Sequence, residues 1–376
     1  MTTTPAPEST TKFTAATFDP LSLYPSMMRI GHRYENTLGQ RLAAGGFKGP
    51  QDVAVAPDGW LYVINRYSEA GVTVARSRFV RVRLDDTGYE DDIVISFSGE
   101  LDPVGAETMP SAVMCAIDSS GTLFVTDEHA NVVAKFDSAT GDARGHWGTA
   151  GDGPGELNAP SGIALDADEN VWVVSSLNHR IERFTRDGQH ISGFGGFGSD
   201  PGQLNHPWGI AVDPVTGTLV VADWRNDRVQ RFSFDGELLQ VIGRPGNGPG
   251  EMNRPSGVAV DSHGDIYVAD RSNDRVLMFN PRGMFIESFR GDATLNERGI
   301  GKLMTNLDMV RIRENVVNLD DEKRFRNPTS VTIGPDGLVL MVDSGRYRIQ
   351  VYRKLCRELS PEEIDPAAIH VDPELT

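Results

Sequence analysis

The chain has 376 residues, 39% hydrophobic and 8% aromatic, which is enough apolar weight for a sizeable core, and its 40 glycines and 22 prolines favour tight turns over long helices. Its 53 acidic against 36 basic side chains give a net charge of −17, which repels phosphate backbones and anionic membrane surfaces and so disfavours nucleic acid and membrane as partners. No stretch approaches the roughly 18 apolar residues of a spanning helix, and the opening MTTTPAPESTTKFTAATFDP lacks a basic segment followed by an apolar one, so a soluble, cytoplasmic protein without an export signal is expected.

In chain order, residues 1–27 form an N-terminal extension. Thr2 to Thr11 is too poor in apolar residues to order itself, whereas FDPLSLY, Phe18 to Tyr24, can lie against a neighbouring surface. From 28 to 355 the sequence repeats. Pro50, Pro110, Pro160, Pro207, Pro255 and Pro328 each open a unit, and each is followed by a short apolar run such as GIAVD from Gly209 or GVAVD from Gly257. A turn comes next, at Gly59, Gly121, Asn170, Gly217, Gly264 or Gly337, residue types that tolerate positive φ. Second strands such as TLVVAD and DIYVAD and third strands such as RVQRF and RVLMF follow, and fourth strands stand out in QHISGFG, ELLQVIG and MFIESFR after Gly188, Gly236 and Gly283. Such a meander cannot bury both faces alone, so the units must flank one another around an axis. The expected fold is all-β, a six-bladed β-propeller of four-stranded antiparallel blades.

The pattern Pro-x-Gly-Val-Ala-Val-Asp followed by Tyr-Val-Ala-Asp-x-x-Asn-x-Arg-Val closely resembles the NHL repeat, best in the third, fourth and fifth units. That resemblance implies a rigid recognition platform and no particular chemistry. The sixth unit runs through RIQVYRK, Arg348 to Lys354, and then turns acidic and Pro-rich over residues 356–376 without a fourth strand. Ahead of the first unit, MMRIG lines up with the fourth strand of the fourth. Met28 to Gly31 is therefore expected to pair onto Arg348 to Lys354 and complete the last blade, so that no edge is left open.

Two departures from the repeat fall on one face: Asn65 to Phe79 in blade 1, and the long insertion 291–327 between blades 5 and 6, Gly291 to Asn327. They are expected to meet beside blade 6, with Thr305 and Asp308 capping a short helix that puts Leu307, Val310 and Val317 on one stripe. Arg66, Arg76, Arg78, Arg298, Lys302, Arg311 and Arg313 gather there, either to select an anionic small ligand or an acidic partner, or as solvated partners of Glu297, Glu314, Asp320 and Asp321.

One position per unit ends the second strand: Asn65, Asp127, Ser175, Asp223, Asp270 and Asp343. Its four carboxylates suit a cation or acid–base work, or else they hold loop backbone, since Asp is usual there in the repeat. Trp208 and Trp224 offer a stacking platform or pack beneath loops. His129, His179 and His206 share that face, enough in principle for a three-ligand metal site. Peptide-amidating lyases resemble this architecture and place zinc-binding histidines after the opening prolines of alternate blades. Gln51, Ser111, Ser161, Trp208, Ser256 and Thr329 stand at those positions here, so that zinc site is not carried over and no metal or cofactor is assigned. GDGPGELN and GNGPGEMN lack the lysine of a phosphate loop, and Cys115 and Cys356 lack CxxC spacing.

A binding or scaffold protein is the leading expectation, presenting its insertion-bearing face to a protein partner or small anionic ligand through Arg66, Trp208, Trp224 and Arg271. The alternative is a lyase or hydrolase at the channel mouth using Asp127, His129, Asp223, Asp270 or Asp343 as metal ligands or acid–base groups.

Overall fold

The computed structural model describes residues 28–39, 47–67, 76–84, 111–295, 300, 303–305, 307–315 and 318–358. Over these the chain forms an all-β six-bladed propeller, its blades antiparallel meanders. Strand β1 (Met28–Leu38) comes first; blade 1 holds β2 (Pro50–Val55), β3 (Leu61–Tyr67) and β4 (Arg76–Val82). Blade 2 holds β5 (Ala112–Ile117), β6 (Thr122–Asp127), β7 (Val132–Asp137) and β8 (Ala143–Trp147), and blade 3 holds β9 (Pro160–Leu165), β10 (Val171–Ser175), β11 (Arg180–Phe184) and β12 (His190–Gly195). Blade 4 comprises β13 (Pro207–Val212), β14 (Leu219–Asp223), β15 (Arg228–Phe232) and β16 (Leu238–Ile242), and is followed by a short parallel pair, β17 (Arg244–Pro245) with β18 (Glu251–Met252). Blade 5 comprises β19 (Pro255–Val260), β20 (Ile266–Asp270), β21 (Arg275–Phe279) and β22 (Phe285–Phe289), and blade 6 comprises β23 (Pro328–Ile333), β24 (Leu338–Asp343) and β25 (Arg348–Glu358).

The apolar runs are continuous because second and third strands are covered on both sides. In β3, Leu61 and Val63 join Leu340, Val342 and Ile349 of blade 6, while Tyr62 and Ile64 face Leu123, Val125 and Phe136 of blade 2. This is the two-residue alternation of a strand with both faces buried. Six such clusters fill the six gaps between neighbouring blades, and each fully buried Val, Leu, Ile or Phe contributes about 1.5–3 kcal/mol.

The ring closes through both ends of the described chain, with a longer strand than expected. Met28 to Gly31 pair with Glu358 to Leu355, and His32 to Leu38 continue along Lys354 to Ile349 past an irregularity between Tyr34 and Asn36. The strand facing Arg348 to Lys354 is thus the segment after Gly31, and β25 runs beyond the anticipated end at 355. Two further expectations need correction. In blade 2 the residue opposite the end of the second strand is Ala112, which pairs with Asp127 as Pro255 pairs with Asp270, so Pro110 lies two positions ahead of the repeat frame. In blade 3 the positive φ belongs to Glu169, at 59°, rather than to Asn170, because Glu169 is the residue whose amide closes the turn onto Asp166, as Gly264 closes its turn onto Asp261.

Helices occupy Leu307–Glu314 and Leu319–Lys323 in the long insertion, the second capped by Asn318, which accepts from the amide of Asp320. Arg311 pairs with Asp308 and Arg313 with Glu322, so both are matched by local acids. Residues 1–27, the centre of the blade 1 insertion at 68–75, Arg298, Lys302, Val317 and the tail from 359 lie outside the described residues. No helix among the described residues is long and apolar enough to cross a membrane.

Candidate functional site

The face carrying the second-to-third-strand loops is built from two repeated joints. At the first, the residue ending the second strand holds the lead-in to its own blade. Asp270 accepts from the Asn253 amide at 2.7 Å, Asn273 Nδ2 at 2.8 Å and Arg275 Nε at 2.7 Å. Asp223 takes Asn205, Asn226, Arg228 and Gln230, and Asp343 takes Arg326, Arg348 and Gln350 in the same way. Asp127 accepts from the amides of Ser111, His129 and Ala130. All four carboxylates are 0% exposed. Burial pushes the pKa of Asp223, Asp270 and Asp343 upward, outweighing the hydrogen bonds and guanidinium charges that pull it down. Each therefore belongs to the frame of the loops, and none presents an oxygen to the channel mouth.

The second joint links successive blades. Asn131, His179, Asp227 and Asp274 sit in left-handed backbone before the third strand, and each accepts the amide of the left-handed residue ahead of the next blade: Ala159, His206, Arg254 and Asn327. His179 thus fills an Asx position, its Nδ1 accepting from the His206 amide at 3.0 Å. Burial and the nearby charge of Arg225 hold both histidines below the usual imidazole range. His129 is exposed on blade 2, and among the described residues no three His, Cys, Asp or Glu side chains gather as a metal site.

What differs from blade to blade is the residue that follows Asn65 and its counterparts: Arg66, Glu128, Ser176, Trp224, Arg271 and Ser344. In Arg66, Ser344 and Trp224 this side chain reaches the lead-in of the following blade, whereas Glu128 turns back to Arg66 of the preceding one. Arg66 donates to Ser111 Oγ at 3.2 Å and pairs with Glu128 at 2.7 Å. Ser344 Oγ accepts from Gln51 Nε2 at 3.3 Å, and Arg254 lies 4.6 Å over the Trp224 ring. Arg271 is half-buried, and no carboxylate among the described residues pairs with it. Burial, and then the charge of Arg66, press its pKa below the ordinary arginine value. Thr329, at the blade 6 lead-in, has a buried Oγ1 with no hydrogen-bond partner.

Trp208 and Trp224 meet at 5.8 Å and 44°. Trp208 packs against the apolar cluster between blades 2 and 3, which includes Val113, Met114 and Ile163, and Trp224 continues outward to His206, His179 and the exposed Phe197. The structure therefore brings the two tryptophans together on blade 4 and relates Arg66 to Arg271 across blade 6.

Below the mouth, the inner strands enclose a channel of about 290 Å³. Its wall is apolar apart from a few groups, of which Asp52 is the charged one. Asp52 takes a hydrogen bond from Ser330 Oγ on one side and from the Cys115 amide, at 2.8 Å, on the other. Burial raises its pKa, and burial together with Asp52 raises that of the Cys115 thiol. The corresponding positions in blades 3, 4 and 5 are Gly162, Gly209 and Gly257, and those in blades 6 and 2 are Ser330 and Met114. Sequence reasoning passed over Asp52 and Ser344 and met Gln51 and Thr329 only as positions without histidine, although all four stand out once the blades are aligned column by column.

A family model described as a 6-bladed beta-propeller matches residues 211–297. Among curated proteins none matches the sequence. Solved structures with the same fold include virginiamycin B lyase from Staphylococcus aureus, a catalytically inactive form with quinupristin, at 15% identity and a TM-score of 0.51, covering 90% of this chain and 87% of that one. A streptogramin B lyase is similar at 15% identity and a TM-score of 0.50, over 87% and 98% of the two chains. A Bacteroides thetaiotaomicron protein of unknown function reaches a TM-score of 0.56 at 15% identity, over 88% and 77%.

Proposed function

We propose that this is an NHL-type propeller that binds a small anionic ligand at the channel mouth, on the face bearing the second-to-third-strand loops. One observation carries the reading: Arg271 is half-buried beside the charge of a second guanidinium and has no acid among the described residues to balance it. An arginine kept charged under those conditions gains from a bound anion, and its planar fork suits carboxylate or phosphate. Glu128 offsets Arg66, so of these two arginines the uncompensated one is Arg271, while Arg225 and Arg254 lie over the Trp224 ring. A lyase or hydrolase at the same mouth needs an acid–base group free to reach substrate. Asp127, Asp223, Asp270 and Asp343 are held by the lead-ins and Glu128 by Arg66, which leaves His129 as the exposed candidate and supports binding over carboxylate chemistry. Both cysteines are free, in keeping with a reducing, cytoplasmic setting. Calorimetric titration of the protein with acetate, benzoate and inorganic phosphate at low salt tests the proposal. At least one should bind, and Arg271→Ala should weaken it at least tenfold; no binding, or equal binding by the variant, refutes it.

A further inference from the structure

The mouth is not uniform around its circumference. Between Arg271 of blade 5 and Arg66 of blade 1 lies an arc of small polar groups: Thr329 Oγ1, buried and without a partner; Ser344, whose Oγ accepts from Gln51 and keeps its own proton free to donate; and the Gln51 amide. Across the opening, blades 3 and 4 contribute Ser161, Ser176 and the two indoles. Ser161 and Ser176 are buried, and Ser161 Oγ is turned to the Trp208 carbonyl at 2.9 Å, so the surface left on that side is tryptophan. Trp208 packs against the apolar cluster of blades 2 and 3 and meets Trp224 at a tilt of 44°, with Arg254 over the Trp224 ring. One half of the mouth carries Arg271 and is rich in donors; the other presents the two tilted indoles, with the guanidiniums of Arg254 and Arg225 over the Trp224 ring.

We infer that the ligand is a monocarboxylate on a flat, apolar body, with its carboxylate between Arg271 and the Thr329–Ser344 arc and its ring on the Trp208–Trp224 pair. This rests on the anion-binding reading above and narrows it. The arginine side supplies one uncompensated positive charge, which a carboxylate matches and a phosphate dianion exceeds. The indoles supply stacking area that a bare carboxylate leaves in contact with water. Neither half alone accounts for the other's presence at one opening.

Calorimetry with 2-naphthoate, acetate, 2-naphthol and inorganic phosphate separates the possibilities. The expected order places 2-naphthoate at least tenfold tighter than each of the other three. Trp208→Ala should lose that advantage while leaving acetate unchanged, and Arg271→Ala should weaken both carboxylates. Because Trp208 packs against the apolar cluster of blades 2 and 3, Trp224→Ala serves as a second variant, and the thermal melt of each is compared with the parent to confirm folding. If acetate binds as tightly as 2-naphthoate and the tryptophan variants are silent, the flat-ligand inference falls while the anion site stands. Tighter phosphate overturns it likewise. If no carboxylate and no phosphate binds, both readings fall together.

Discussion

Gly209 offers the sharpest test of how closely the inner strands approach. A methyl at this position would lie 2.4 Å from the Ser256 carbonyl oxygen and 3.0 Å from Gly257 Cα, both backbone atoms of the next blade. No side-chain rotation relieves such a contact, so Gly209→Ala must push blades 4 and 5 apart by close to an ångström. Overpacking of this kind costs about 1–3 kcal/mol, and because backbone must move, the loss is expected at about the upper figure. At about 2 °C per kcal/mol for a domain of this size, the melting temperature should fall by about 6 °C. Gly196→Ala is the control: nothing lies within 4 Å of its added methyl, and the change should stay within about 0.5 kcal/mol. Differential scanning calorimetry at one fixed scan rate, with urea denaturation beside it, measures both. If Gly209→Ala melts within a degree of the parent, the close approach of blades 4 and 5 at this glycine is refuted.

Other outcomes follow from the same structure. Asp270→Ala leaves the Arg275 guanidinium, 4% exposed, without its carboxylate, and should cost about 3–5 kcal/mol in urea denaturation, with Asp270→Ala/Arg275→Met recovering part of it; a loss below about 1 kcal/mol would count against the clamp. Removing residues up to Leu38 bares the edge of β25 and takes Leu38 from the gap between blades 6 and 1, so the shortened protein should aggregate on size-exclusion chromatography; a monomer with unchanged melting would contradict ring closure. Burial raises the pKa of Asp52, so its carboxyl favours the folded state below the unfolded pKa of about 3.9 and loses that contribution as pH rises through the raised value. Asp52→Asn should therefore gain stability relative to the parent between about pH 4 and neutrality, and a pH-independent difference would show that the carboxyl does not titrate in the channel wall.

The fold was legible because the repeat writes the same two-faced strand six times, and a column of alternating apolar residues leaves one way to bury itself. Register was less so. Pro110 resembles the other opening prolines but stands two residues early, and only the Ala112–Asp127 pairing reveals it. The length of the closing strand was hidden because charged pairs such as Arg29 with Arg357 and Arg33 with Arg353 interrupt its apolar ones, and the irregularity between Tyr34 and Asn36 breaks the two-residue alternation. At the mouth, residue identity could be read but partnership could not. Arg228, Arg275 and Arg348 find aspartates five residues back along the chain, whereas Arg271 pairs with no acid among the described residues and feels the charge of Arg66, and that difference is a matter of position in space.

The pairing of β1 with β25 also bears on how the ring comes into being. A nascent polypeptide delivers Met28–Leu38 early and its partner Arg348–Glu358 only after every intervening blade has been made, so the first strand must wait through nearly all of synthesis. Contacts this distant along the chain are slow to form and leave intermediates with open edges. Because Met28 and Glu358 end side by side, a short linker between them, with new termini opened between two blades, would make all four strands of blade 6 contiguous in translation and should hasten refolding.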